Sequence, residues 1–327
     1  MNILVCGGAG YIGSHMVYML LQNGFNVIVI DNLQTGHVQA IDKRAKFYFA
    51  DIRDKKTLDK IFKENRVDLV MHFAANALVI ESMKDPLLYF DNNTYGMQIL
   101  LKSMIENHVD KIIFSSTCAT YGIPEKLPIS ELTPTNPINP YGESKLMMEK
   151  IMRWVDQIHN IKFVSLRYFN AAGASLDASI GEDHKIETHL IPLVLQVPLN
   201  KRKFVNICGN DYPTKDGTCI RDYIHVLDLV DAHLRAAEYL LNGKSSNIFN
   251  LGNGNGFSVK EIINTARKVT GFDIEARVIE RREGDPPELV ATNEKARSIL
   301  NWNPKYGIED IISTAWNWHK SHPLGYV

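Results

Sequence analysis

The sequence predicts an α/β protein with a doubly wound parallel sheet and a smaller mixed α/β domain. In the first half, short β-branched runs alternate with longer stretches of helical spacing, and a glycine-rich turn follows the first run. Strands that alternate with helices form βαβ units, and right-handed crossovers place the helices on both faces of a parallel sheet. Because this rhythm becomes irregular near residue 170, we expect one domain at 1–169 and a second at 170–327, with some elements of the second returning to the main sheet.

Apolar periodicity predicts the individual elements. Strands of the first half are expected in six buried runs, at 3–5, 27–30, 47–49, 69–73, 112–114 and 163–166. The helices between them are expected at 12–21, 55–63, 87–105 and 141–158. In the second half, the pattern predicts helices at 190–199, 226–241, 259–269, 294–300 and 308–319, and strands at 204–208 and 248–251.

Composition and charge narrow the classes of partner. The chain has 327 residues, 45% of them apolar and 22% charged, which is an ordinary globular composition. Its 36 basic residues nearly balance its 37 acidic residues, and no block of like charge reaches five residues, so we expect neither a nucleic-acid nor a polybasic membrane surface. The absence of an apolar stretch of about 18 residues argues against a membrane span, and no basic leader precedes the first apolar run.

Cysteine and histidine positions bear on metal binding and redox compartment. Four cysteines are scattered without a C-x-x-C pair: Cys6, Cys118, Cys208 and Cys219. This usage is typical of reduced thiols in a cytoplasmic protein. His184 and His189 are close in sequence, but no cysteine or ligand spacing completes a set around them. We therefore expect solvated or hydrogen-bonded histidines and no metal site.

The turn after the first strand carries the glycine pattern of a dinucleotide site. Residues 7–13 read GGAGYIG, in which Gly7 allows the tight turn, Gly10 lets backbone approach a pyrophosphate, and Gly13 permits close helix–strand packing. The pyrophosphate is expected on the N–H groups that open the next helix. Asp31 ends the second strand, where a carboxylate accepts from ribose hydroxyls and repels a 2′-phosphate. The sequence therefore predicts NAD rather than NADP.

A second group of residues suits proton transfer. Tyr141 and Lys145 are four residues apart at the start of a predicted helix, so they share one helical face. A nearby ammonium and an oxidised nicotinamide ring both favour phenolate, so we expect the pKa of Tyr141 to lie below its usual value of about 10. Thr117 ends the fifth strand at the carboxyl edge of the sheet, where ligands bind. A phenol placed there can exchange a proton with a sugar hydroxyl.

These features occur in the order found in the extended short-chain dehydrogenase/reductase superfamily, which the chain resembles. Within it, the similarity to the UDP-galactose 4-epimerases runs nearly end to end. It is carried by residues 7–15 (GGAGYIGSH), 31–33 (DNL), 72–75 (HFAA), 81–82 (ES), 91–93 (DNN), 167–170 (RYFN), 209–217 (GNDYPTKDG), 221–226 (RDYIHV), 250–252 (NLG) and 281–285 (RREGD). The resemblance implies a Rossmann-type sheet and C4 epimerisation between UDP-galactose and UDP-glucose, through a transient 4-keto sugar and bound NAD.

The resemblance also implies roles for individual residues. Tyr141 is the expected proton acceptor and donor, Lys145 the ligand of the nicotinamide ribose, and Thr117 the hydroxyl that assists Tyr141. Together with Tyr141 and Lys145, the expected NAD-binding residues are Gly7, Gly10, Tyr11, Ile12, Gly13, Asp31, Asn32, Asp51, Ile52, Phe73, Ala74, Ala75, Asn92 and Tyr168. Beside Thr117 and Tyr141, the expected substrate residues are Asn170, Leu190, Asn206, Cys208, Arg221, Arg282 and Asp285. A homodimer through helices 87–105 and 141–158 is expected.

Departures from the family pattern leave the sugar open. Ala77 stands where some members carry Lys, and His189 where many carry Asn. Leu289 stands where a bulky Tyr restricts the sugar pocket in some members, so UDP-N-acetylhexosamines stay possible substrates beside UDP-pentoses and UDP-uronates. A sugar 4,6-dehydratase needs carboxyls directly after Thr117, where Cys118 follows instead. A non-catalytic NAD-sensing protein of the same fold is the alternative from another class.

Overall fold

The computed structural model describes residues 1–282 and 285–327. Its strands are β1 Asn2–Cys6, β2 Asn26–Asp31, β3 Lys46–Phe49, β4 Leu69–His72, β5 Lys111–Thr117, β6 Lys162–Tyr168, β7 Asn170–Ala172, β8 Val205–Cys208, β9 Ile220–His225, β10 Asn247–Leu251, β11 Gly256–Ser258, β12 Ala276–Ile279 and β13 Glu288–Leu289. Its helices are α1 Tyr11–Gln22, α2 Lys55–Asn65, α3 Val79–Lys84, α4 Pro86–Tyr89, α5 Gly96–Glu106, α6 Pro140–His159, α7 Leu190–Leu195, α8 Val226–Leu241, α9 Val259–Thr270, α10 Glu294–Leu300 and α11 Ile308–Ser321. Within the described residues, no helix is long and apolar enough to cross a membrane.

Seven strands form the central sheet, in the order β10-β6-β5-β4-β1-β2-β3. Every neighbouring pair is parallel, so all seven carboxyl ends lie at one edge. The strand order reverses direction between β1 and β4, which opens a crevice at that edge. The prediction of a doubly wound parallel sheet is confirmed.

Alternation within the strands explains why both sheet faces are covered. On β1, Ile3 and Val5 belong to one buried cluster with residues of α1 and α8, whereas Leu4 and Cys6 belong to a second cluster with residues of α2, α5 and α6. Successive side chains of a strand point to opposite faces, so a strand that is apolar throughout must be buried on both. The sheet therefore lies between two helical layers.

The second half builds smaller sheets and returns one strand. β9 pairs with β7, β11 and β13, and β8 pairs with β12. A third apolar cluster joins these strands to α7, α9 and α11. β10 pairs with β6 and so extends the central sheet, as expected from the sequence.

Several features differ from the predicted elements, and helix α3 was not predicted. The helix predicted at 87–105 is subdivided into α4, a π-helical turn at Phe90–Tyr95 and α5. The turn carries the buried side chain of Asn93, which accepts from Asn76 N at 2.8 Å and donates to Ser144 Oγ at 3.0 Å. The helix predicted at 190–199 ends at Leu195. The short strands β7, β9, β11, β12 and β13 were not predicted, because distant partners rather than local periodicity stabilise them.

Candidate active site

The glycine turn brings three backbone segments into close contact. Gly7 has φ of +80°, and a Cβ there would lie 2.5 Å from the backbone nitrogen of Ala74. A Cβ on Gly13 would lie 2.0 Å from the carbonyl oxygen of Gly7. Only glycine fits at positions 7 and 13. Because neither residue carries a side chain, α1 can begin directly against the end of β1. Its first N–H groups then face the crevice.

A groove of about 560 Å³, partly open to solvent, follows this turn along the carboxyl edge of the sheet. Ten of the predicted cofactor residues line it: Gly7, Gly10, Asp31, Asn32, Asp51, Ile52, Phe73, Ala74, Ala75 and Asn92. The sequence analysis missed five more: Ile30, Gln34, Thr35, Ala50 and Asn76. Gln34 and Thr35 lie in the loop after β2, so their proximity to Asp31 in sequence is the signal that could have identified them.

Asp31 is held in place by backbone. Its carboxylate accepts from Ala9 N at 2.9 Å and from Leu33 N at 2.8 Å, while burial raises its pKa. Asp51, just after the adjacent strand β3, forms an ion pair with Arg53 at 2.7 Å and accepts from Asn32 Nδ2 at 3.1 Å. These contacts orient both carboxylates along the groove.

Three predicted residues of the first part of the chain lie elsewhere. Tyr11 lines a smaller adjoining groove with His37 and His184, and its hydroxyl donates to Gly173 O at 2.6 Å. Ile12 packs against the buried cluster of α1 and α8. Gly13 lies behind the turn, against Gly7, and so shapes the groove without lining it.

The predicted proton-transfer residues meet where β5 ends and α6 begins. Asn139 caps α6 by accepting from Gly142 N at 2.8 Å, and Pro140 occupies the first turn. A Cβ on Gly142 would lie 2.5 Å from Ala119 O, so the helix starts in contact with the turn after β5. This contact places Tyr141 near Thr117, whose hydroxyl favours the ionised form of the phenol.

Lys145 lies one turn deeper in α6 and is almost fully buried. Its Nζ donates to Ser115 O at 2.8 Å and lies 6.0 Å from the centroid of the Tyr141 ring. Burial lowers the pKa of Lys145 to about 7, and the nearby Glu149 carboxylate opposes this shift. The ammonium is thus held by β5 rather than by the phenol.

The expected pKa of Tyr141 is wrong for the protein alone. Burial raises the pKa of Tyr141 to about 12, and the hydrogen bond from Thr117 only partly opposes this. Two observations explain the difference: Lys145 is 6.0 Å from the ring, and its own lowered pKa of about 7 makes it only partly charged near neutral pH. Lys145 therefore cannot by itself supply the phenolate.

A buried ion pair behind these residues was missed by the sequence analysis. Glu149 pairs with Arg167 on β6 and accepts from Ser116 Oγ at 2.6 Å. The guanidinium of Arg167 lies 4.8 Å from the Tyr121 ring centroid. Glu149 is one helical turn beyond Lys145, and that spacing is the signal that could have identified it. The pair anchors α6 to the ends of β5 and β6, and so positions Thr117 and Lys145.

Tyr168 also lies at this edge. Its hydroxyl forms a buried hydrogen bond with Ser115 Oγ, and its ring centroid lies 6.0 Å from that of His233. Burial raises the pKa of Tyr168, so its phenol stays protonated. Tyr168 thus packs against the strand that carries Thr117.

Residues predicted for the substrate cluster around β9. Arg221 forms an ion pair with Asp285 and donates to Ile220 O and Pro286 O. Asp285 N donates to Arg282 O at 3.3 Å, and Cys208 ends β8. The structure therefore brings Arg221, Arg282 and Asp285 together.

The remaining predicted substrate residues occupy neighbouring elements. Asn170 begins β7 and is in register with Tyr223 of β9, Leu190 begins α7, and Asn206 is exposed on β8. Leu289 on β13 is in register with Arg221, and it packs against the same small apolar cluster as Cys118. This apolar cluster thus links β13 to the residue that follows Thr117.

Comparison with known proteins agrees with this arrangement. The profile of the NAD dependent epimerase/dehydratase family matches residues 3–252. The chain is 57% identical over 327 residues to a UDP-glucose 4-epimerase of Lacticaseibacillus casei, covering 100% of this chain and 99% of that protein. A crystal structure of a UDP-glucose 4-epimerase superposes with a TM-score of 0.98 at 54% identity, over 100% of both chains.

A second solved structure extends the comparison to ligands. UDP-glucose 4-epimerase from Bifidobacterium longum, in complex with NAD+ and UDP, superposes with a TM-score of 0.94 at 40% identity, over 99% of this chain and 100% of that one. Similarity over the full length covers the β9 cluster as well as the glycine turn. The chain therefore belongs to the NAD dependent epimerase/dehydratase family and, within it, to the UDP-glucose 4-epimerases.

Proposed function

We propose that this chain interconverts UDP-galactose and UDP-glucose by epimerisation at C4, with NAD as its cofactor. The observation that carries the proposal is the meeting of Thr117, Tyr141 and Lys145 at the carboxyl edge of the sheet, beside the groove and the β9 cluster. Epimerisation leaves no net change in redox state. Bound NAD is therefore expected to stay with the protein through turnover.

The groove suits NAD in shape and in hydrogen-bonding groups. Gly7 and Gly13 leave the start of α1 open to a pyrophosphate. Asp31 is placed for the adenosine ribose and would repel a 2′-phosphate. Asn76 lines the groove with a buried Nδ2 that has no hydrogen-bond partner among the described residues, which is a donor left for a ligand.

Tyr141 is the proposed acid and base of the reaction. When bound, NAD supplies the hydride acceptor and donor for a transient 4-keto sugar, and its oxidised ring favours phenolate. The phenol of Tyr141 takes the proton of the 4-hydroxyl and later returns it. The hydroxyl of Thr117 lies near this phenol and stabilises its deprotonated form. Lys145, held by Ser115 O, is placed to bind the nicotinamide ribose.

The β9 cluster is the proposed UDP site. Arg221 and Arg282 offer charge-assisted hydrogen bonds to a diphosphate, and Asp285 accepts from ribose hydroxyls. The pairing of Arg221 with Asp285 holds the guanidinium in place before a ligand arrives. We propose that residues 1–169 bind NAD and residues 170–327 bind the nucleotide sugar, with Asn170 and Leu190 lining the path between them. Contacts remote from C4 let the hexose turn over while UDP stays bound.

Leu289 favours UDP-N-acetylhexosamines as further substrates. Its side chain packs against the same small apolar cluster as Cys118, which follows Thr117 in the chain. Leucine is smaller than tyrosine and leaves room on this side for an N-acetyl group. We therefore propose that both classes of UDP-hexose are accepted.

Proton NMR of the purified protein tests the proposal. Incubated with UDP-galactose and no added NAD, the protein should form UDP-glucose until the two equilibrate. UDP-N-acetylgalactosamine and UDP-xylose, incubated separately, define the substrate range. If no 4-epimer forms from any of the three, even after NAD is supplied, the proposed activity is wrong.

We further propose a cytoplasmic homodimer. All four cysteines are free thiols, which suits a reducing compartment. On α6, the side chains of Trp154 and Ile158 are 67% and 72% exposed, and Leu87 on α4 is 75% exposed. Large apolar side chains exposed on adjacent helices mark interaction surfaces.

Charge at this surface should separate the subunits. Trp154→Glu is expected to give a monomer by light scattering after gel filtration, because an interface that buries the indole cannot bury an unpaired carboxylate. Phe272→Glu, which changes an exposed aromatic residue after α9, is the matched control and should stay dimeric. A dimeric Trp154→Glu protein would place the interface elsewhere.

A further inference from the structure

The segment from Gly181 to Leu190 brings four metal-ligating side chains together. Glu182, His184, Glu187 and His189 each offer one ligand atom, and these four atoms all lie within 4.8 Å of one another. The sequence analysis treated the two histidines alone, since the glutamates are not at a standard ligand spacing. The loop fold adds both carboxylates to the pair.

The loop backbone directs these groups inward. Glu187 Oε1 accepts from the backbone nitrogens of Thr188 and His189, at 2.7 Å each. The side chains of Glu182 and Glu187 are only 4% and 8% exposed. His184 and His189 meet edge to face, with ring centroids 5.3 Å apart. Each ring therefore turns its Nδ1 toward the two buried carboxylates.

Three of the four histidine–glutamate separations are close to those of a tetrahedral metal centre, with both oxygens of Glu187 involved. Zinc binds histidine nitrogen at about 2.0–2.1 Å and carboxylate oxygen at about 2.0–2.2 Å, so ligand atoms of a tetrahedral site are about 3.3–3.5 Å apart. His184 Nδ1 lies 3.3 Å from Glu187 Oε2 and 3.5 Å from Glu182 Oε1. His189 Nδ1 lies 3.5 Å from Glu187 Oε1. The fourth separation, 2.6 Å from His189 Nδ1 to Glu182 Oε1, is a hydrogen bond that a bound ion would replace.

Charge and ligand type select the ion. Two carboxylates neutralise a divalent cation, and two imidazoles favour zinc, cobalt or nickel over magnesium or calcium, which prefer oxygen ligands. The side chain of His189 is 50% exposed, so the site is open to an entering ion on one side. We propose that Glu182, His184, Glu187 and His189 form a binding site for one divalent transition metal ion, with zinc as the preferred ion.

The position of the site indicates what a bound ion would do. His184 lines the smaller groove beside Gly10 and Tyr11, and His189 directly precedes Leu190, the first residue of α7. One ion held by all four side chains would fix the loop that connects this groove to α7. The site is therefore a structural one, and the chemistry at Tyr141 does not require it.

Metal titration of the untagged, full-length protein tests the site. After dialysis against a chelator, calorimetry should show one Zn²⁺ bound per chain and thermal unfolding should shift to higher temperature. Co²⁺ should give the intense visible absorption of a four-coordinate centre. Glu182→Gln, which keeps the size of the side chain, and His184→Ala should each weaken Zn²⁺ binding at least about 10-fold.

His159→Ala removes an exposed histidine at the end of α6 and is the matched control, with unchanged Zn²⁺ affinity expected. Circular dichroism checks the fold of each variant, and His189→Gln, at the more exposed ligand, replaces any variant that does not fold. The proposal is overturned if the wild-type protein binds no stoichiometric Zn²⁺. It is equally overturned if folded Glu182→Gln and His184→Ala bind Zn²⁺ as tightly as His159→Ala, since the four side chains are then only a hydrogen-bonded network.

Discussion

The cofactor groove and the β9 cluster differ in how the chain builds them. The groove forms from Gly7 and Gly10 of one short turn and from the ends of neighbouring parallel strands. The β9 cluster draws on residues from Asn170 to Asp285, carried by short strands that pair over long sequence distances. The first region is therefore readable from local pattern, and the second only from motifs or from the fold.

The two regions also differ in how their charged groups are held. In the groove, the carboxylate of Asp31 is fixed by backbone N–H groups of Ala9 and Leu33. In the β9 cluster, Arg221 and Asp285 hold each other. The groove is thus formed by the backbone, whereas the proposed UDP site depends on side chains that a ligand can rearrange. Thr117, Tyr141 and Lys145 lie where the two regions meet.

Removing the hydroxyl of Tyr141, which lies where the two regions meet, should have the largest effect on turnover. Tyr141→Phe is expected to lower kcat for UDP-galactose by about 100- to 10,000-fold, the range typical of a lost general acid and base. Retention of NAD and affinity for UDP should change little, because neither proposed binding region loses a charged group. Tyr89→Phe, which changes a neighbouring phenol 6.4 Å away between ring centroids, is the matched control. Near-normal turnover by Tyr141→Phe would remove the phenol from the mechanism.

Lys145 should make stability depend on pH. Burial lowers its folded-state pKa to about 7 from 10.5. The contribution of Lys145 to the free energy of unfolding is then most favourable above pH 10.5. It falls as the pH drops and reaches its full penalty of up to about 5 kcal/mol near pH 7. In NAD-free protein, Lys145→Met should therefore gain stability over wild type as the pH falls from 10.5 to 7.

Urea unfolding at several pH values measures this difference. Lys150→Met removes an exposed lysine of the same helix and is the matched control, with a constant difference expected. Loss of the hydrogen bond to Ser115 O changes the free energy of unfolding of Lys145→Met by an amount that does not depend on pH. If the difference in free energy of unfolding between Lys145→Met and wild type does not depend on pH, burial does not lower the pKa of Lys145.

Arg221 tests whether the two regions act separately. Arg221→Leu removes a charged hydrogen-bonding group worth about 1.5–3 kcal/mol, which corresponds to about a 10- to 150-fold loss of UDP affinity. The NAD content of the protein should not change. Arg235→Leu, which removes the arginine of a surface ion pair on α8, is the control. Loss of NAD in Arg221→Leu would show that the two regions are not separate.

Leu289 should give the smallest effect, on substrate choice alone. Leu289→Tyr is expected to lower kcat/KM for UDP-N-acetylgalactosamine relative to UDP-galactose by about 10-fold, within the range for steric discrimination in a pocket. Competition between the two substrates measures the ratio. Leu132→Tyr, at an exposed loop position, should leave the ratio unchanged. An unchanged ratio in Leu289→Tyr would place the N-acetyl group elsewhere.

The contrast between local pattern and long-range strand pairing also explains which elements could be predicted from the sequence. Periodicity predicted α8 from 226 to 241, as observed, because its apolar face recurs without interruption. Periodicity predicted an apolar run in β5 only as far as residue 114, whereas the strand continues to Thr117 through polar residues that pair with β6. Strand β13 has two residues and exists through its pairing with β9. Local pattern is insufficient for such elements.

Site prediction followed a similar rule. Gly7 and Gly10 of the glycine turn line the groove, as do the predicted residues at the ends of the neighbouring strands. The sequence could not reveal that Glu149 and Arg167 form a buried pair, because that depends on the packing of α6 against β6. Nor could it reveal that Glu182 and Glu187 fold back onto His184 and His189. Predicting the direction of the Tyr141 pKa shift likewise requires the distance from Lys145 Nζ to the Tyr141 ring, which only the structure gives.

Epimerisation in D₂O is the most direct test of the central claim. The proposed reaction removes hydrogen from C4 of the hexose as hydride and returns the same hydrogen to the opposite face, while only the hydroxyl proton passes through Tyr141. UDP-glucose formed from UDP-galactose should therefore retain protium at C4, seen as a full-intensity resonance by proton NMR. Incorporation of solvent deuterium at C4, or no UDP-glucose at all, would contradict the account.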